Sequence, residues 1–142
     1  MICVDTTFLV DLWRDRDRPD SGARGLLSAH PGEAFVVPAH AAGEFLEGGA
    51  LISASRLEQS LAFLRLFRVG EVGIETARCY ALTVACLRGA ADLAGRSKPD
   101  LWIAAWALEH GAPLATRNTR HFDGIPGLEL IDYPTTADPV RR

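Results

Sequence analysis

The chain has 142 residues, 48% of them hydrophobic and 23% charged, a balance that fits one domain with one core and excludes a disordered or fibrous protein. No apolar run reaches the ~18 residues that span a bilayer. Met1-Ile2-Cys3-Val4-Asp5 places a carboxylate where a secretory leader would still be apolar. The formal net charge of −3 argues against bulk attraction to nucleic acid, although all but one of the basic residues (Lys98) are arginines, whose planar fork suits phosphate oxygens.

In chain order, residues 1–5 read as a short buried strand, and Phe8, Leu9, Leu12 and Trp13 then take helical spacing up to a charged turn at Arg14 to Asp20. A second helix is predicted over 21–29, broken by Pro31-Gly32. Ala34 to Val37 forms a second strand, and Pro38 opens a helix through Glu44 and Leu46 that Gly48-Gly49 should disturb, with more helix over 55–64. Phe67-Arg68-Val69 reads as a third strand, residues 74–94 as a long helix, 95–99 as a linker and 100–109 as a helix stopped by Gly111. Residues 113–116 and 128–131 complete the strands. Strands alternating with helices over connections too long for hairpins predict an α/β fold, with a central, mostly parallel sheet flanked by helices on both sides. Residues 1–134 are expected to form a single domain and the polar segment 135–142 a flexible tail. Cys3, Cys79 and Cys86 are odd in number and lack metal-type spacing, which predicts free thiols in a reducing cytoplasm, with Cys79 and Cys86 as small core residues. Trp102 and Trp106 share a helix face and read as core.

In open parallel sheets, sites form where strands give way to helices. Asp5 stands there as a helix cap or a ligand, and Thr6 and Thr7 are available to cap in its place. Glu44 lies in the helix behind the second strand, beside the small residues Ala41 and Gly48; it is either a solvated acid or one that a cation approaches closely. Asp100 sits in Ser97-Lys98-Pro99-Asp100, a capping arrangement whose carboxylate can reach back to the Ser97 N–H or bind a cation, two compatible roles. Thr116-Arg117-Asn118-Thr119-Arg120-His121-Phe122-Asp123 follows another strand. Carboxylates gathered at one edge repel unless a cation neutralises them, and oxygen donors without zinc-type Cys or His spacing point to Mg²⁺.

The residues Met1-Ile2-Cys3-Val4-Asp5-Thr6-Thr7-Phe8-Leu9-Val10-Asp11-Leu12 resemble the opening of PIN-domain ribonucleases, especially VapC-type toxins of bacterial toxin–antitoxin pairs. Ala42 to Gly49 is similar to their second motif, Pro99 to Ala107 to the third and Leu114 to Phe122 to the fourth, in family order. The resemblance implies a PIN-like domain and a Mg²⁺-dependent endoribonuclease, with Mn²⁺ as a substitute. In that reading Asp5, Asp100 and Glu44 hold the metal and Asn118 completes the catalytic set. Thr6, Thr116, Arg117 and Arg120 would bind substrate or position the site. It also implies an RNA substrate, 5′-phosphate and 3′-hydroxyl products, a homodimer, an inhibitory antitoxin covering the acidic site, and a cytoplasmic setting without a membrane. One departure stands out: where the family often has an acid before the phenylalanine of the fourth motif, this chain has His121, and Asp123 lies two positions further on. Two rivals fit the motifs less well. A haloacid-dehalogenase-type phosphatase would need an acid where Thr7 stands, and a non-catalytic receiver-like module would need an Asp in Val69-Gly70-Glu71.

Overall fold

The computed structural model describes residues 1–136. Five strands, β1 (Ile2–Val4), β2 (Phe35–Pro38), β3 (Arg68–Gly70), β4 (Leu114–Ala115) and β5 (Leu130–Ile131), form one sheet in the order β3-β2-β1-β4-β5, and every pairing is parallel. β1 is buried along its whole length because it is central and covered on both faces, which is why it reads as an unbroken apolar run.

The helices are α1 (Thr6–Arg14), α2 (Gly22–Ala29), α3 (Ala39–Ala50), α4 (Ala54–Leu64), α5 (Ile74–Gly89), α6 (Lys98–His110) and α7 (Thr119–Phe122). The chain steps outward from β1 to β2 and β3, then crosses to β4 and β5 on the other side. Right-handed crossovers therefore put α1–α4 and α5–α7 on opposite faces. The reversal falls between β1 and β4, and that is where the carboxyl ends of the strands open a crevice. No helix among the described residues is long and apolar enough to cross a membrane.

Several boundaries differ from the sequence reading. Gly48-Gly49 does not disturb α3. The glycine is a packing requirement, since a Cβ on Gly49 would lie 2.6 Å from Ser60 Oγ on α4. α5 ends at Gly89, and Ala91 turns through a positive φ of 57°. α6 takes Lys98 and Pro99 from the predicted linker because Ser97 is its N-cap and proline is tolerated in a first turn; Gly111 ends it in the left-handed region at φ 60°. α7 lies in a stretch expected to be loop.

Aromatic side chains fix the helices against the sheet. Trp13 packs edge-to-face on Phe45 and Phe63, which meet each other at a tilt, between α1, α3 and α4. Trp106 is buried, donates Nε1–H to the Glu71 carbonyl at 3.1 Å, and lies so close to β3 that a Cβ on Gly70 would fall 2.3 Å from its ring. Trp102 is only half-buried, stacked between His40 (centroids 5.1 Å apart) and Tyr80 (4.2 Å). Cys3 is buried and Cys79 half-buried, but Cys86 is exposed, because the α5 face that carries it points to solvent and not to the core. Thr136 is buried, and its hydroxyl donates to Asp15. Residues 137–142, most of the expected tail, lie outside the described residues.

Candidate active site

Asp5 leaves β1 and is the N-cap of α1, so the cap is Asp5 itself and not the threonines that follow. Its Oδ1 accepts the Phe8 N–H at 2.9 Å, and its Oδ2 accepts the Thr116 hydroxyl at 2.6 Å. Thr116 follows β4, so this bond closes the crevice at the switch between β1 and β4. The residue is 3% exposed, and burial above all pushes its pKa from 3.8 up to about 6. The bonds from Thr116 and Phe8 oppose that rise, and the charges of Asp100 and Asp11 add to it.

The two threonines left free by Asp5 tie the other motifs to it. Thr6 Oγ1 donates to Glu44 Oε1 at 2.9 Å, bringing α3 to the site. Thr7 Oγ1 accepts from Asn118 Nδ2 at 2.9 Å, and the Asn118 backbone N–H donates to Thr116 Oγ1 at the same distance. Asp100 stands in the first turn of α6, where the Ser97 hydroxyl caps its N–H at 3.2 Å. Its carboxylate Oδ2 lies 3.2 Å from His121 Nδ1 on α7, so the side chain meets the neighbouring helix.

Residues 5, 6, 44, 100, 116 and 118 thus gather at one edge of the sheet. Arg117 is differently engaged. Its Nε and Nη2 reach Asp11 at 2.8 and 3.2 Å, and Asp11 also accepts the Tyr133 hydroxyl at 2.8 Å. This buried network was missed in the sequence; its one signal was an acid, Asp11, set among the apolar residues of α1 that face the core. Arg120 is exposed, and Asp123 lies beyond α7 on the surface.

The donor set is hard oxygen, which suits a cation that keeps several waters and needs only one or two carboxylates from the protein. Asp5 fits that requirement, being a buried acid whose pKa is raised chiefly by burial and further by the charges of Asp100 and Asp11. As the side chains stand, no three His, Cys, Asp or Glu among the described residues are close enough to cage a metal ion.

A parallel five-stranded sheet with acids and hydroxyls gathered at its switch point defines an α/β fold with an acidic crevice. Residues 2–128 match the PIN domain, and the chain belongs to that family. It is 29% identical over 140 residues to VapC ribonuclease Y4jK of Sinorhizobium fredii, covering 93% of this chain and 96% of that protein. Its fold superposes on VapBC2 from Rickettsia felis bound to a promoter DNA fragment with a TM-score of 0.78 at 21% identity, over 94% of this chain and 100% of the other. A toxin–antitoxin complex from Klebsiella pneumoniae gives a TM-score of 0.70 at 25% identity, over 92% and 96%.

Proposed function

We propose that this chain is a Mg²⁺-dependent endoribonuclease, the VapC-like toxin of a toxin–antitoxin pair, with residues 1–134 as its nuclease domain. The observation that carries the reading is Asp5, buried, doubly hydrogen-bonded and with its pKa raised to about 6 by burial and by nearby Asp100 at the β1–β4 crevice. The family match and the similarity to a VapC ribonuclease supply the reaction class.

Asp5 and Asp100 would hold the divalent ion, with Glu44 on the same rim. Such an ion supplies a nucleophilic water at neutral pH and offsets charge building on the phosphate. The chain's own residues do the positioning. Asp5 is fixed by the Phe8 N–H and the Thr116 hydroxyl, so it presents its remaining lone pairs in one direction. Asn118 locks Thr116 and Thr7 at once, and Thr6 holds Glu44 where it can orient a water. Arg120 is free to meet the RNA backbone, whereas the binding role expected for Arg117 competes with its pairing to Asp11. Water as nucleophile makes the RNA 2′-hydroxyl unnecessary and leaves 5′-phosphate and 3′-hydroxyl ends.

In this reading the chain works as a homodimer in the cytoplasm, and a cognate antitoxin silences it by covering the acidic rim. The test is incubation of the purified chain with single-stranded RNA in Mg²⁺, in Mn²⁺ and in EDTA, alongside Asp100→Asn. Cleavage that EDTA and the substitution both abolish supports the assignment. Equal cleavage in EDTA, or none in either metal once the antitoxin is removed, refutes it.

A further inference from the structure

Beside the crevice, the α5–α6 loop and α7 enclose a second feature, a cavity of about 240 Å³ lined by Asp92, Arg96, Ser97, Asp100, Arg120 and His121. It is smaller than the ~300–1,000 Å³ of sites for drug-sized ligands and suits a single nucleoside. Its frame is built by Arg96, whose side chain is 10% exposed. The guanidinium donates to the Asp92 carbonyl at 2.9 Å, to Asp92 Oδ2 at 2.8 Å, to the His121 carbonyl at 3.2 Å and to the Asp123 carbonyl. Gly124 admits the close approach at the far side: its φ is +78°, and a Cβ there would meet Asp92 Oδ2 at 3.1 Å. Arg96 is thus spent on structure. Two groups in the lining keep capacity for a ligand: Asp92, whose Oδ2 accepts from Arg96 but whose Oδ1 has no partner among the described residues and whose side chain is 52% exposed, and Arg120, whose side chain makes no hydrogen bond or ion pair among the described residues.

We propose that this cavity holds the nucleotide adjoining the scissile bond and selects guanine, with Asp92 reading the base and Arg120 meeting a neighbouring phosphate. The proposal rests on the nuclease reading and extends it to a substrate preference. A carboxylate only accepts hydrogen bonds. Guanine is the one RNA base whose Watson–Crick edge offers two adjacent donors, N1–H and the 2-amino group, to both oxygens of a carboxylate. Adenine and cytosine set an acceptor beside their amino group, and uracil flanks its one imino donor with two acceptors, so each repels an ionised Asp92. Bases presented this way must be unpaired, as sequence-specific RNA recognition generally requires. Asp100 is shared by the cavity wall and the acidic crevice, so a base held here delivers its phosphodiester to the proposed centre.

The experiment measures binding of five-nucleotide single-stranded RNAs to the full chain carrying Asp5→Asn, which keeps the cap and blocks turnover. The probes carry guanosine, inosine or adenosine at one position. Guanosine is expected to bind about tenfold or more tighter than adenosine, as for one bidentate base contact, with inosine, which lacks the 2-amino group, in between. Asp92→Asn should erase that preference, and Arg120→Ala should weaken all three probes alike while keeping their order. Asp92→Asn also removes an ion pair to Arg96, so the inosine probe reads the same contact with the protein untouched. Equal binding of the three probes overturns the proposal. Metal-dependent cleavage of longer RNA without base preference removes the guanine pocket alone, whereas guanine-selective binding without any cleavage removes the nuclease reading and keeps the pocket.

Discussion

Replacing Asp5 by asparagine is expected to stabilise the metal-free protein while abolishing cleavage. The rise of the Asp5 pKa from 3.8 to about 6 means that folding makes its ionisation costly. At 1.36 kcal/mol per pH unit, that cost is about 3 kcal/mol at neutral pH. Asparagine keeps an oxygen for the Phe8 N–H and is an equally good N-cap. It must rearrange the bond with Thr116, which takes back about 1 kcal/mol. The net gain at pH 7.5 is therefore about 2 kcal/mol. The sign with pH follows from the direction of the shift. A carboxyl with a raised folded pKa binds its proton more tightly when folded, so the wild type loses stability as pH rises from about 4 to 6 and is level above that. The advantage of the variant should be absent near pH 4 and fully present by pH 7. Urea unfolding in EDTA at pH 4.5 and 7.5 measures it, and adding Mg²⁺ or Mn²⁺ should stabilise the wild type alone. A variant less stable than wild type at pH 7.5, with a difference that pH does not change, would refute the reasoning that Asp5 is a strained charge awaiting a cation.

The other perturbations test the frame around the site. Arg117→Ala leaves buried Asp11 with Tyr133 and the half-exposed Arg14, and should cost about 2–3 kcal/mol in urea unfolding; a large rise in KM with unchanged stability would instead make Arg117 a substrate contact. Asp15 is held down to about 2, first by the Arg14 guanidinium and also by the Thr136 and Ser21 hydroxyls. Asp15→Asn should cost about 1–2 kcal/mol at pH 7, a deficit that closes as pH falls from about 4 to 2, since a depressed carboxyl loses its contribution as it protonates. Gly70→Ala drives a methyl into the Trp106 ring and should cost about 3 kcal/mol or more, read as a lowered thermal midpoint.

What was legible in the sequence is what local chemistry decides. Ile2-Cys3-Val4 and Phe35-Val36-Val37 announce buried parallel strands, and Ser97, Pro99 and Gly111 bracket α6 with the chemistry of its own ends. The acids after the strands could be placed at one edge because a parallel sheet leaves them no other place to go. The assignments that failed depend on partners far along the chain. Arg117 looks like a loop cation until Asp11, 106 residues away, is seen beneath it. Gly48-Gly49 looks like a helix breaker until α4 packs on it, and Cys86 looks like core until the outward face of α5 is known. Asp5 was misjudged differently: capping and ligation were weighed as competitors, whereas one carboxylate has lone pairs enough for both.

If Asp5 is a ligand as well as a cap, the three acids of the proposed site still have to close around the ion, since no three such side chains among the described residues form a cage. Asp5 is buried and held by two bonds, so it is the fixed point, and Glu44 and Asp100, each with one side-chain partner in view, are the groups that must turn inward. For Asp100 that partner is His121, in the position where the family often carries an acid. If His121 only restrains Asp100, then His121→Ala frees it. Releasing a hydrogen bond worth about 1 kcal/mol should tighten Mn²⁺ binding about fivefold, measured by calorimetry without substrate. A loss of affinity would show the opposite, that the imidazole is itself a donor to the metal and has taken over the place of the missing carboxylate.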